Sequence, residues 1–203
     1  MIDLSNHNRG KVDFTRLHKA GQERVYLKLT EGTTYLDPTH QGRRRSAHAA
    51  GMKVGEYHFA RPSRHSARHE ADFFLKHLPR LVRGRDLRPV LDLEDPDASP
   101  SPAVGRWALE FIHAVKRHSG HIVVVYGSTD YLARCRFPKA PGPLWLASYG
   151  RNDGKEHPFH IPRPWTHVAA HQYSSVARVA GVEGPCDISR VFRARELDVA
   201  VTK

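Results

Sequence analysis

Pro89-Val90-Leu91-Asp92-Leu93-Glu94 reads as a buried strand that ends in acids. Val90, Leu91 and Leu93 supply the apolar run, and a proline fits the first position of a strand. Residues i and i+2 of a strand point the same way. Asp92 and Glu94 therefore share one face, while Leu91 and Leu93 pack on the other. Two strand steps set the two backbones roughly 6.6 Å apart. Both carboxyls can enter one pocket.

Similar runs recur on either side. Ile2-Leu4, Val25-Leu29 and Val54-Phe59 precede it, and Ile122-Tyr126, Leu144-Ala147 and Val168-Tyr173 follow, with a weaker run at Arg178-Val182. Helical periodicity fills the earlier gaps. It covers Phe14-Ala20, His40-Ala50 stopping at Gly51, Ala67-Leu81, Val104-His118 ending near Gly120, and the shorter Thr129-Ala133. Trp107 and Phe111 on one of these helices read as core. After about residue 140, Pro and Gly dominate the connections. Strands alternating with helices predict an α/β fold with a parallel sheet. About eight strands with about five helices predict a small, irregular TIM-like β/α barrel. An ordinary eightfold barrel runs to about 250 residues, and this chain has 203. An open doubly wound sheet is the alternative, but no Gly-rich phosphate loop follows the first strand. No linker or low-complexity tract divides the chain, so residues 1–203 read as one domain.

Composition narrows the class. Hydrophobic residues make up 39% and charged residues 26%, which suits a folded chain. No apolar run approaches the roughly 20 residues of a membrane span. Met1-Ile2-Asp3-Leu4-Ser5-Asn6 lacks the basic-then-apolar pattern of a signal peptide. The net charge is +11, with 15 histidines besides. Such charge favours polyanions, whether nucleic acid, anionic lipid or acidic wall polymer; an arginine-rich solvated surface reads equally well. No helix-turn-helix, zinc-finger or RNA-binding sheet signature is present, so no nucleic-acid partner is expected. Cys135 and Cys186 stand in no metal or redox spacing and read as free thiols.

In a parallel barrel, chemistry gathers at the C-terminal ends of the strands. Acids there are the first candidates. Asp3 ends or interrupts the first strand, Asp92 and Glu94 end the fourth, and Asp187 follows the last. Two carboxyls in one pocket push their pKa values apart, leaving one protonated and one charged near neutrality. Glycoside hydrolysis uses that division. The triplet alone is also compatible with a solvated strand end. Calcium binding by Asp92, Glu94, Asp95 and Asp97 is a further option, although the spacing lacks the glycine and distal glutamate of the known loop. His65 and His69, four apart, would share a helix face as zinc ligands, but without the usual His-Glu-x-x-His order or a third ligand.

The flanking residues decide between these options. Ile2-Asp3-Leu4-Ser5-Asn6-His7-Asn8 with Val12-Asp13-Phe14, Tyr26-Leu27-Lys28-Leu29-Thr30-Glu31-Gly32 running on to Asp37-Pro38, and Gly55-Glu56-Tyr57-His58-Phe59-Ala60-Arg61-Pro62 precede the acidic strand. Leu144-Trp145-Leu146-Ala147-Ser148-Tyr149-Gly150, His171-Gln172-Tyr173-Ser174, and Gly181-Val182-Glu183-Gly184 leading to Asp187-Ile188-Ser189 follow it. In this order, over nearly the whole chain, they resemble the glycoside hydrolase family 25 lysozymes. These are the Chalaropsis-type muramidases, which include many phage endolysins.

The resemblance implies hydrolysis of the β-1,4 bond between N-acetylmuramic acid and N-acetylglucosamine in bacterial peptidoglycan. It implies Glu94 as general acid and Asp92 as the residue assisting the substrate N-acetyl group, with Asp3 and Asp187 completing an acidic floor. Lys28, Tyr35 and Gln172 match site-lining positions. Tyr57, Phe59, Tyr126, Trp145 and Tyr149 fall at strand ends, where rings can stack on sugar faces. No cofactor or metal is expected, and a monomer is expected. His58 reads as a buried, hydrogen-bonded residue. Arg9, Lys11 and the Arg43-Arg44-Arg45 run depart from the family pattern without touching the acids. The positive charge suits anionic wall polymers. Without a signal peptide, the reading is a wall-acting enzyme that reaches its substrate by another route, as a phage endolysin does. Leu197 to Lys203 show no wall-binding repeat.

Overall fold

Alternation of side chains gives every strand an inner and an outer face. The computed structural model describes residues 1–199; of the closing segment read for a wall-binding repeat, residues 200–203 lie outside them. The first half runs β1 (Ile2–Leu4), α1 (Phe14–Lys19), β2 (Arg24–Glu31), β3 (Tyr35–Leu36), α2 (His40–Ala49), β4 (Lys53–Phe59), α3 (Ala67–His77) and β5 (Val90–Asp92). The second half runs α4 (Pro102–Ser119), β6 (Val124–Ser128), α5 (Thr129–Cys135), β7 (Leu144–Ala147), β8 (Ala170–Ala177), β9 (Cys186–Val191) and α6 (Ala194–Leu197).

The sheet order is β1-β9-β8-β7-β6-β5-β4-β2-β3, and β1 also pairs with β2. Eight strands thus close into a barrel, and β3 is a short antiparallel addition to β2. Neighbours from β1 through β8 pair in parallel, but β9 runs antiparallel to both β8 and β1.

The expected barrel is present, with differences. Arg178-Val182 is not a strand; Val182 makes only an isolated bridge to Val12. Gly181 and Gly184 adopt φ of 99° and 92°, which interrupts extended backbone, and the last strand starts at Cys186. Among the described residues six helices occur rather than five, the extra one being the short α6. The third helix stops at His77, not Leu81, because Leu78 precedes Pro79 and is forced extended, at ψ 119°. The fourth helix starts earlier than expected: Ser101 caps it and Pro102 takes the first turn. It ends at Gly120, left-handed at φ 73°.

Inside the barrel, Tyr26 stacks on Trp145 with ring centroids 5.0 Å apart, and Tyr126 meets Trp145 edge-on at 4.9 Å. Gly55 is required there, since a Cβ would sit 2.1 Å from the Tyr26 ring. Outward-facing Leu91, Leu93, Val125 and Leu146 meet Phe74 of α3 and Phe111 and Ile112 of α4. Truncating Phe111, which is fully buried, would cost about 3–5 kcal/mol. Both cysteines are buried free thiols. No helix among the described residues is long and apolar enough to cross a membrane.

Candidate active site

The inward alternation carries polar groups to one mouth of the barrel. Asp3, Lys28, Tyr57, Asp92, Tyr126, Trp145 and Gln172 are inward positions of seven strands, and all line one cavity of about 330 Å³. Glu94, two residues past the end of β5, joins them, while Leu91 and Leu93 enter the core behind. Asp187 joins by a different route. It does not follow the last strand but is its second residue, and it sits directly across from Asp3. Because β9 is antiparallel, its beginning lies where the other strands end. Phe59 and Tyr149 also line the cavity.

Four carboxyls thus meet where none has an arginine partner among the described residues. Asp92 is 5% exposed, and its Oδ1 is buried without a hydrogen-bond partner. Glu94 is exposed, because water reaches it through the mouth, although protein surrounds it on its other sides. Burial, then the charge of Glu94, pushes the Asp92 carboxyl well above the usual range, with Lys28 opposing. Burial, then Asp187, pushes Asp3 well up, against a hydrogen bond from Gln172. Burial and then Asp187 raise Glu94 to about 7, with Tyr126 and Lys28 opposing. Burial raises Asp187 to about 6. Like charges in one poorly solvated pocket cannot all ionise, so the set retains protons near neutral pH and titrates as a group.

The walls are fixed by directed hydrogen bonds. The Gln172 amide donates to Asp3 Oδ2 at 2.8 Å, and its carbonyl accepts from the Tyr126 and Tyr149 hydroxyls at 2.7 and 2.6 Å. Trp145 Nε1 donates to Ser189 Oγ at 3.0 Å. Lys28 bonds Glu31 at 2.5 Å and lies 4.7 Å from the Phe59 ring centroid. A bulge in β2 between Lys28 and Thr30 shifts the register on β4 beside the site.

Tyr35 differs from expectation. It does not line the cavity but lies against Lys28, whose Nζ is 5.4 Å from its ring centroid. Ser5, His7, Asn8, Glu31 and Arg61 line the cavity and were not singled out from sequence. Their signal was position: all lie at or just beyond strand ends. His58 is buried between Thr30 Oγ1 at 2.8 Å and Glu70 Oε2 at 2.7 Å, as expected. Asp95 and Asp97 turn away from Asp92 and Glu94 to pair with Arg61 and Arg64. His65 precedes Ser66, the N-cap of α3, so it shares no helix face with His69. Trp107 donates Nε1–H to the His65 carbonyl at 2.8 Å and packs against the core.

Comparison with known proteins identifies the family and the fold. The sequence model of Glycosyl hydrolases family 25 matches residues 2–182. Lysozyme M1 of Streptomyces globisporus is 32% identical over 200 residues, covering 92% of this chain and 65% of that protein. The autolytic lysozyme of Clostridium acetobutylicum is 29% identical over 188 residues, covering 92% of this chain and 54% of that one. The chain therefore spans less than two thirds of the length of these two relatives. The crystal structure of the bacterial lysozyme from Streptomyces coelicolor superposes with a TM-score of 0.84 at 30% identity, covering 94% of this chain and 90% of that one. On family match and fold together, the chain belongs to the Glycosyl hydrolases family 25.

Proposed function

We propose that residues 1–203 form a single catalytic domain that hydrolyses the β-1,4 bond between N-acetylmuramic acid and N-acetylglucosamine in bacterial peptidoglycan, acting as a monomer. The observation that carries this reading is the cluster of four carboxyls, from β1, β5 with its extension, and β9, in one aromatic-walled cavity. Glu94 is the general acid. It retains a proton to about 7 and stands at the mouth, where a glycosidic oxygen can reach it. It protonates the leaving oxygen as the bond to the anomeric carbon breaks. Asp92 lies deeper, with one carboxyl oxygen unengaged. In this reading that oxygen holds the N–H of the substrate N-acetyl group, whose carbonyl oxygen bonds to the anomeric carbon. Water then attacks that carbon, with Glu94 taking the proton. Negative charge left on the acidic set meets the positive charge that develops on the sugar. Tyr57, Phe59, Tyr126, Trp145 and Tyr149 supply ring faces and hydroxyls to the glycan, and Lys28 and Gln172 hold the polar wall. The named relatives are lysozymes, which supports the wall as the place of action. The +11 charge supports attraction to anionic wall polymers.

Mass spectrometry of digested peptidoglycan tests the reading. New reducing ends should be N-acetylmuramic acid; N-acetylglucosamine ends would sink it. Glu94→Gln should yield no products while melting like the parent.

A further inference from the structure

The flank of the barrel carries a second charged feature that the hydrolytic reading does not use. Helix α4 leaves the loop that follows Glu94 and runs back along the barrel against α3. Arg68, Arg106, His113 and Arg117 rim a groove of about 440 Å³ between these two helices. Its floor is Leu109 and Ala114, and Glu110 is its single acid. None of these residues lines the catalytic cavity. Arg106 and Arg117 are exposed and pair with no carboxylate among the described residues, while Arg68 pairs with Asp72 at 2.9 Å.

Helix electrostatics account for only part of this charge. Arg117 lies in the last turn of α4, where a cation complements the macrodipole. Arg68 lies in the first turn of α3, where Asp72 offsets it, and Arg106 is the fifth residue of α4, beyond the reach of the macrodipole. Arg106 and Arg117, exposed and without a carboxylate partner among the described residues, leave the groove a net positive charge that an anion complements. Eleven helical steps lead from Arg106 to Arg117, or roughly 16 Å of rise. That spacing suits a linear polymer carrying several anionic groups rather than one small ion. Guanidinium forks match phosphate oxygens. No aromatic side chain lines the groove, so it offers no platform for stacking nucleic-acid bases.

We propose that the α3–α4 groove docks a phosphodiester-bearing anionic polymer of the bacterial wall and tethers the enzyme beside its substrate. The proposal rests on the peptidoglycan-hydrolase reading, and it leaves the catalytic mouth open because the groove lies on the flank.

Binding of the full chain to immobilised poly(glycerol phosphate) across a salt series tests it. R106E/R117E is compared with K19E/K139E, which makes the same change in net charge on exposed positions elsewhere. The groove pair should bind about tenfold more weakly, with the log-affinity against log-salt slope reduced by about two. The control pair should bind nearly as the parent does. Both should cleave polymer-free soluble glycan fragments at the parental rate. R106Q/R117Q, which only neutralises the two sites, should also weaken binding and serves if the reversal pair unfolds. Equal loss in both reversal pairs, or loss in neither, would overturn the groove. Parental binding to mixed-sequence DNA as tight as to the polymer, and lost in the groove pair, would overturn the polymer in favour of nucleic acid. If the parent cleaves no fragments, the hydrolytic reading fails, and the binding data still judge the groove separately.

Discussion

Glu94 and Asp95 are neighbours in sequence and opposites in environment. Glu94 joins Asp3, Asp92 and Asp187 in the cavity, none of the four paired with an arginine among the described residues, and burial followed by the charge of Asp187 raises it. Asp95 turns the other way. Burial pushes Asp95 up as well, but bonds from Ser63, Arg61 and backbone N–H groups outweigh that and hold it below the usual carboxylate range. The same guanidinium bonds Glu31 at 2.7 Å and Asp95 at 2.9 Å, and its plane lies over Phe59. Burial alone therefore does not decide what an acid does. Asp92 at 5% and Asp95 at 1% exposure are both buried. Asp3, Asp92, Glu94 and Asp187 lack arginine partners among the described residues and keep protons near neutrality, while Glu31 and Asp95 share Arg61, which fastens the ends of β2 and β4 to the loop after β5.

The widest gap between the two regions should appear on replacing Asp92 or Asp95 by asparagine. Asp92→Asn should lower turnover by about 10²–10³-fold on wall substrate, with no loss of melting temperature. Asp95→Asn should keep most turnover and melt lower. If Asp95→Asn instead matched Asp92→Asn in turnover, the division would collapse. Arg61→Ala comes next. It leaves buried Asp95 without its cation, and should cost about 2 kcal/mol, or about 6 °C of melting temperature, discounted because Arg61 is partly open. An unchanged melting curve would show that the cluster holds nothing.

Asp187→Asn should act more gently, and its sign is set by linkage. The folded-state pKa of Asp187 lies at about 6, above the ordinary 3.8. The stability tied to its proton is therefore complete at acidic pH and lost as pH rises through about 6. The variant should be more stable than the parent above that pH, by about 1 kcal/mol at pH 8 after discounting for solvent, with the gap closing below pH 4. Removing this like charge should also move the alkaline limb of activity below the parental midpoint, set by Glu94 at about 7. Calorimetry and rate measurements across pH check both; a destabilised variant at pH 8 would contradict the account. The smallest effect should come from Tyr35→Leu, since Tyr35 touches Lys28 but lies outside the cavity. Turnover should stay within about twofold, and a larger fall would return Tyr35 to the site.

Much of the site was legible because strand periodicity is local. The alternation that aims Asp92 and Glu94 one way and Leu91 and Leu93 the other is written in six consecutive residues. Asp3, Lys28, Tyr57, Tyr126, Trp145 and Gln172 follow by the same rule, once the order of flanking motifs aligns the strands. The misreadings came where local signals compete. Arg178-Val182 has β-like residues, but Gly181, at φ 99°, breaks the extension. Ala67-Leu81 has helical spacing, but Pro79 ends the helix early.

The sequence alone thus pointed to a small β/α barrel and to the acidic strand, because alternation and proline and glycine positions act over a few residues, and the order of flanking motifs added Asp3 and Asp187 as candidates. Tertiary structure decided the rest. Only barrel closure through an antiparallel β9 sets Asp187 across from Asp3. Only three-dimensional placement gives Arg61 to Asp95 and withholds an arginine from Glu94. The physical reason is that a pKa depends on which charges and how much water lie within a few ångströms, and residues 31, 61 and 95 become neighbours only when the chain folds.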